Sequence, residues 1–86
     1  MGGGAETQDD GRPAKTLDAR GLYCPEPVFR AKLAIAQIPP GGILEVFADD
    51  PAAEEDFNRW SKRTGNPLIA MEKKGRELRI LIRRGS

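Results

Sequence analysis

Hydrophobic and polar positions along the chain fall into six runs with two different periods. Lys15 to Ala19 alternates, with Leu17 and Ala19 on one side and Thr16 and Asp18 on the other, which predicts a short strand. From Pro25 to Ile38 the period becomes helical. Val28, Ala31, Ile35 and Ile38 recur on one face, and Phe29, Leu33 and Ala36 widen that stripe. Proline fits a first helical turn because its missing N–H would have no partner there, so Pro25 and Pro27 place the helix start at or just after Cys24. Pro39-Pro40-Gly41-Gly42 ends the helix and turns the chain. Ile43 to Ala48 is almost continuously apolar around Glu45, the pattern of a strand inside a sheet.

Asp49-Asp50-Pro51 predicts the opening of a second helix, with Asp50 as N-cap and Pro51 at the first helical position. Glu54, Glu55 and Asp56 suit its positive end, and Lys62 and Arg63 its last turn. Ala53, Phe57, Trp60 and Thr64 mark the inward face, and Gly65 the C-terminal cap. Leu68 to Lys73 and Glu77 to Arg83 read as two strands joined by a hairpin turn at Lys74-Gly75. In the last strand Leu78, Ile80 and Ile82 alternate with Arg79, Leu81 and Arg83, giving one buried and one mostly solvated face. The order is β-α-β-α-β-β. Right-handed crossovers then place both helices on one sheet face, an α/β two-layer sandwich. The other face, with Arg79 and Arg83, is left for solvent or for an acidic or polar partner.

Composition narrows the functions this frame can serve. The 86 residues make one small domain, with 1–14 reading as a disordered tail, 15–84 as the folded unit and 85–86 as its end. Fourteen basic residues oppose 13 acidic ones, a net charge of +1, so no global field draws in nucleic acid or an anionic membrane. No apolar run approaches the roughly 20 residues of a spanning helix, and no secretory h-region is visible, which leads to a cytoplasmic expectation. Phe57 and Trp60 have the chemistry of a base-stacking pair, but their helical spacing with Ala53 and Thr64 points to core packing. Lys73, Lys74 and Arg76 form a small basic hairpin tip, a solvated turn or a partner contact. The absence of histidine removes Cys-His catalysis and histidine metal sites.

The single cysteine, Cys24, cannot form an internal disulfide, in keeping with a reducing compartment. Lone cysteines often serve as small buried hydrophobes. Cys24 instead lies at a strand-to-helix junction, followed by two prolines that a buried residue does not need. The thiolate is the nucleophile, and helix N-termini favour anions. Because Pro25 and Pro27 lack N–H groups, the expected donors to sulfur are the amides of Glu26, Val28 and Phe29. Arg20 is expected to add positive charge across the turn. Glu26 opposes the thiolate if close, and otherwise compensates the helix dipole or meets a partner. With no histidine base, no second cysteine and no metal co-ligands, what remains is a carrier or exchange role, and sulfur suits it as a persulfide Cys–S–SH.

Leu17-Asp18-Ala19-Arg20-Gly21-Leu22-Tyr23-Cys24-Pro25-Glu26-Pro27 resembles the signature of the TusA/SirA-like sulfur-carrier proteins. Ala48-Asp49-Asp50-Pro51-Ala52 and Leu81-Ile82-Arg83 add to the resemblance, which covers about residues 15 to 84. It implies a four-stranded mixed sheet with both helices on one face, similar to the C-terminal domain of translation initiation factor 3. It implies a sulfurtransferase whose Cys24 carries sulfane sulfur without cofactor or metal. The implied donor is a cysteine desulfurase or a rhodanese-like protein. The implied acceptor is an enzyme of tRNA 2-thiolation, molybdenum cofactor supply or sulfur oxidation. Pro25, Glu26 and Pro27 match the motif as supporting residues. Asp18 and Arg20 match it as loop-positioning or docking residues, or as a plain turn and ion pair. A monomer forming transient complexes is expected, with no direct nucleic-acid or membrane binding. The alternative is an RNA-binding or regulatory interaction module with a structural cysteine.

Overall fold

The computed structural model describes residues 12–85; most of the expected N-terminal tail lies outside the described residues. The elements follow the expected order: β1 Lys15–Asp18, α1 Glu26–Ile35, β2 Ile43–Ala48, α2 Ala53–Thr64, β3 Leu68–Lys74 and β4 Glu77–Arg83. They form one four-stranded mixed sheet in the order β1-β2-β4-β3. β1 and β2 are parallel, with Lys15 opposite Leu44 and Asp18 opposite Phe47. β4 runs antiparallel to both β2 and β3. β2 therefore lies inside the sheet, as its apolar run implied, and β1 and β3 form the edges.

Alternation along the inner strands decides where the core sits. Leu44, Val46 and Ala48 of β2 and Leu78, Ile80 and Ile82 of β4 are buried in one cluster with residues of both helices. α1 contributes Ala31, Ala34 and Ile35, with Ile38 just beyond it, and α2 contributes Ala53, Phe57 and Trp60. Both helices thus cover one face of the sheet. Phe57 and Trp60 meet edge to face with ring centroids 6.1 Å apart, a core pair. Small alanines on α1 let that helix lie close to the strands. Phe29 and Leu33, read as flanks of the buried stripe, are instead about half exposed, at 51% and 50%. Thr64 is also exposed, although its hydroxyl donates to the Trp60 carbonyl at 2.8 Å.

The helix ends differ from the sequence expectation for identifiable reasons. α1 stops at Ile35 because Gln37 and Ile38 donate to the carbonyls of Ala34 and Ile35, a tightened last turn ahead of Pro39. The Arg84 guanidinium then donates to the carbonyls of Ala36 and Ile38, tying the end of β4 to the end of α1. α2 begins at Ala53, two residues after Pro51, because Ala53 first closes a turn onto the Asp50 carbonyl at 3.0 Å. Asp50 does not cap the helix with its side chain. Gly65 does end it, in the left-handed conformation at φ 78° that glycine adopts without a Cβ penalty. The hairpin turn is Gly75-Arg76, one residue later than expected.

The open face of the sheet is crossed by a polar ladder. Thr16 donates to Glu45 at 2.9 Å, and Arg79 donates to Glu45 at 2.7 Å and to Glu72 at 3.1 Å. Arg79, a candidate partner contact in the sequence, is therefore neutralised by its own sheet. No helix among the described residues is long and apolar enough to cross a membrane.

Candidate functional site

The parallel pairing of β1 with β2 continues one residue past the strand, where Ala19 donates to the Phe47 carbonyl at 2.7 Å. The chain then turns at Gly21, whose φ of 84° suits glycine, and Leu22 donates back to the Ala19 carbonyl. Two side chains of the β2–α2 loop brace this turn. Asp49 accepts the Gly21 amide at 2.9 Å, and Asp50 accepts the Cys24 amide at 3.2 Å. The Asp-Asp pair thus fastens the cysteine loop to the β2–α2 loop. The Cys24–Pro25 peptide is cis. Pro25 is the N-cap of α1 with no side-chain capping bond, and Pro27 is buried in its first turn.

Cys24 is exposed. Its loop also presents Tyr23, which is 74% exposed. The cysteine lines a cavity of about 190 Å³ between the start of α1 and α2, with Asp56, Arg59, Trp60 and Arg63 on the α2 side. Pro25, Val28, Trp60 and Arg63 also line the next depression, of about 490 Å³, which runs on to Phe29 and Lys32. The two form one groove leading away from the sulfur. On the other side of the loop, Tyr23, Asp50 and Glu54 face Lys73 and Arg76 across a cleft of about 570 Å³.

The electrostatics reverse part of the sequence expectation. Of the amides expected to favour a thiolate, Glu26 donates to the Tyr23 carbonyl at 2.8 Å and Phe29 to the Pro25 carbonyl at 3.1 Å. The sulfur's neighbours are instead carboxylates. Asp56, on the same cavity wall, pushes the Cys24 thiol above its ordinary value. Partial desolvation and the charges of Asp56 and Asp50 add to this, and Arg59 opposes it. These neighbours favour the protonated form of the sulfur.

Arg20 does not reach across to the sulfur either. It forms a fork with Asp18, at 2.9 and 3.0 Å, bonds Glu77 on β4 at 3.1 Å, and lies 5.8 Å from the Phe47 ring centroid. This clamp holds Asp18 down to about 2 and raises the Arg20 guanidinium. Asp18 and Arg20 therefore secure the base of the loop to the sheet. Glu26 pairs with Arg30 one turn along α1 at 3.3 Å. The structure gathers Cys24, Pro25 and Pro27 at the mouth of α1 and places Asp18 and Arg20 on the strand side. Asp49, Asp56 and Arg59 were missed in the sequence. Asp49 was read as part of a helix opening and of the family resemblance, without a role at the cysteine. Asp56 was read only as charge for the helix dipole, yet Asp56, Arg59 and Arg63 follow the 3-and-4 spacing that shares one helix face. Among the described residues, no group of three or more His, Cys, Asp or Glu side chains has the arrangement of a metal site.

The family model described as Sulfurtransferase TusA matches residues 15–84. The chain belongs to the TusA family. Sulfur carrier protein TusA of Allochromatium vinosum is 40% identical over 68 residues, which cover 79% of this chain and 90% of that protein. YrkI of Bacillus subtilis is 42% identical over 71 residues, covering 83% and 95%. Among solved structures, a SirA-like protein from Desulfitobacterium hafniense superposes with a TM-score of 0.71 at 29% identity, covering 84% of this chain and 99% of that one. The match spans every element of the TusA fold described above, including the Cys24 loop and the acidic brace that holds it.

Proposed function

We propose that this protein is a sulfur carrier in which Cys24 accepts sulfane sulfur as a persulfide from a donor protein and relays it to an acceptor enzyme. The observation that carries this reading is the placement of the only cysteine. It stands exposed at the mouth of α1, on a loop braced by Asp49 and Asp50 and clamped by Asp18 and Arg20. A carrier must meet two proteins in turn through one atom, so that atom has to be presented at the surface and held in register. The groove that begins at Cys24 and runs past Trp60 to Phe29 supplies room for an approaching sulfur and its loop. The TusA relatives support sulfur transfer as the chemistry. A cysteine desulfurase or a rhodanese-like protein fits as donor, and the acceptor is an enzyme that consumes sulfane sulfur.

The test is direct. Incubation with a cysteine desulfurase and cysteine should add the mass of one sulfur to the protein, and dithiothreitol should remove it. Cys24→Ser should gain nothing. A wild-type chain that never gains sulfur, or a Cys24→Ser chain that does, overturns the proposal.

A further inference from the structure

Beside Cys24 lies an acid–base pair whose placement is not explained by helix stability alone. Asp56 and Arg59 share the cavity that holds the cysteine. The Asp56 side chain is only 18% exposed, against 66% for Arg59. One Asp56 oxygen, Oδ1, accepts from Arg59 at 3.2 Å, and among the described residues no nitrogen donor is bonded to the other. A mostly covered carboxylate with an uncommitted oxygen can accept a hydrogen bond from a donor in its cavity. The thiol of Cys24 lines the same cavity.

We propose that Asp56 governs the proton on Cys24, keeping the unloaded sulfur as a hydrogen-bonded thiol until a donor's sulfur arrives. The proposal rests on the sulfur-carrier reading and adds a positioning residue to it. Every charged group facing the sulfur takes part in the balance. Asp56 and Asp50 hold the proton in place. Arg59 opposes them, Arg63 closes the far wall of the cavity, and Glu26 is occupied by Arg30. The direction of the thiol shift agrees with this geometry. A carrier whose resting sulfur is protonated is a poor target for stray oxidants and electrophiles, because these react with thiolate. Specificity then lies with the partner. A donor surface that brings positive charge against Asp56 weakens its hold and exposes the nucleophile.

The transfer balances without any outside oxidant. The Cys24 S–H bond breaks, and Sγ forms a bond to the outer sulfur of the donor's R–S–SH. The donor's S–S bond breaks, its electron pair leaves with the donor's inner sulfur, and that sulfur takes up the proton to become R–SH. The moved sulfur keeps its oxidation level, and Cys24 ends as Cys–S–SH.

The experiment is the pH dependence of iodoacetamide alkylation of the full chain, followed by intact mass. Asp56→Asn should lower the midpoint and speed alkylation at neutral pH, about tenfold for each pH unit that the midpoint falls. Arg59→Gln, at a mostly exposed position, leaves the Asp56 charge uncompensated and should move the midpoint up and slow the reaction. Far-UV circular dichroism reports whether each variant is folded. If Asp56→Asn is unfolded, the direction of the Arg59→Gln shift decides. A folded Asp56→Asn chain with the wild-type profile, or an Arg59→Gln midpoint that stays or falls, overturns the proposal. Sulfur loading of the wild type, measured alongside, keeps the two readings apart. Opposite shifts in the variants with no loading sink the carrier reading alone, and normal loading with no shifts sinks the role of Asp56 alone.

Discussion

Single side chains around the cysteine loop have been given opposed electrostatic tasks. Arg20 is saturated by Asp18 and Glu77 and so is unavailable to the sulfur, whereas Asp56 is saturated only in part and so is available to it. The Asp18–Arg20 clamp has its own signature in a titration. The folded-state value of Asp18 lies below its ordinary value, so the clamp's contribution to stability is fully present above about pH 4 and is lost as pH falls through about 2. Both partners are solvated, so the energy involved is small. Carboxyl NMR of the wild type should show Asp18 titrating near 2, and Arg20→Ala should return it toward 3.8. A wild-type midpoint already at 3.8 would remove the clamp from this account. At this scale the sequence was legible for identity and not for partners. Cys24 could be singled out as the candidate site because it is the only cysteine, at a strand-to-helix junction before two prolines. That its neighbours are Asp50 and Asp56 could not be read, because both are more than 25 positions away and reach it only through the fold.

Whole elements were easier to foresee than their ends. The inner strands β2 and β4 matched their expected limits because each is flanked by turn-forming residues, Gly41-Gly42 and Asp49-Asp50 around β2 and the hairpin turn before β4. Helix limits slipped where backbone carbonyls found unexpected donors, as at the α1 end closed by Arg84. The Asp49-Asp50 pair shows the same competition. A residue with the chemistry of an N-cap was taken by a nearer demand, the unsatisfied amides of the cysteine loop. Element packing also supplies a prediction. Trp60 is 3% exposed, packs edge-on against Phe57 and forms the wall of the groove beside Cys24. Trp60→Ala should lower unfolding free energy by about 3–5 kcal/mol in a denaturant titration. A loss under about 1 kcal/mol would mean that the ring is not core.

For the molecule as a whole, the sheet order sets a gradient of protection. β4 is paired on both sides, while β1 is four residues long, pairs only with β2 and is mostly exposed. Amide hydrogen exchange should be slowest in β4 and β2 and fastest among the strands in β1, whose amides open by local fraying. Equal protection in β1 and β4 would contradict that ordering. β3, the other edge, ends in Glu72, Lys73 and Lys74, charges that discourage another strand from adding there. The two-layer arrangement with both helices on one face was legible because hydrophobic period and turn chemistry agreed along the chain.

The strand order has one more consequence, for birth rather than for function. The strand that completes the pairing of β2 and carries Ile80 and Ile82 beneath the helices is the sixth and last element in the chain. A growing polypeptide leaving the ribosome therefore exposes its cysteine before the strand that anchors the base of its loop, through Glu77 and Arg20, exists. The sheet that supports the cysteine loop is complete only when residues 77–83 have emerged and inserted between β2 and β3.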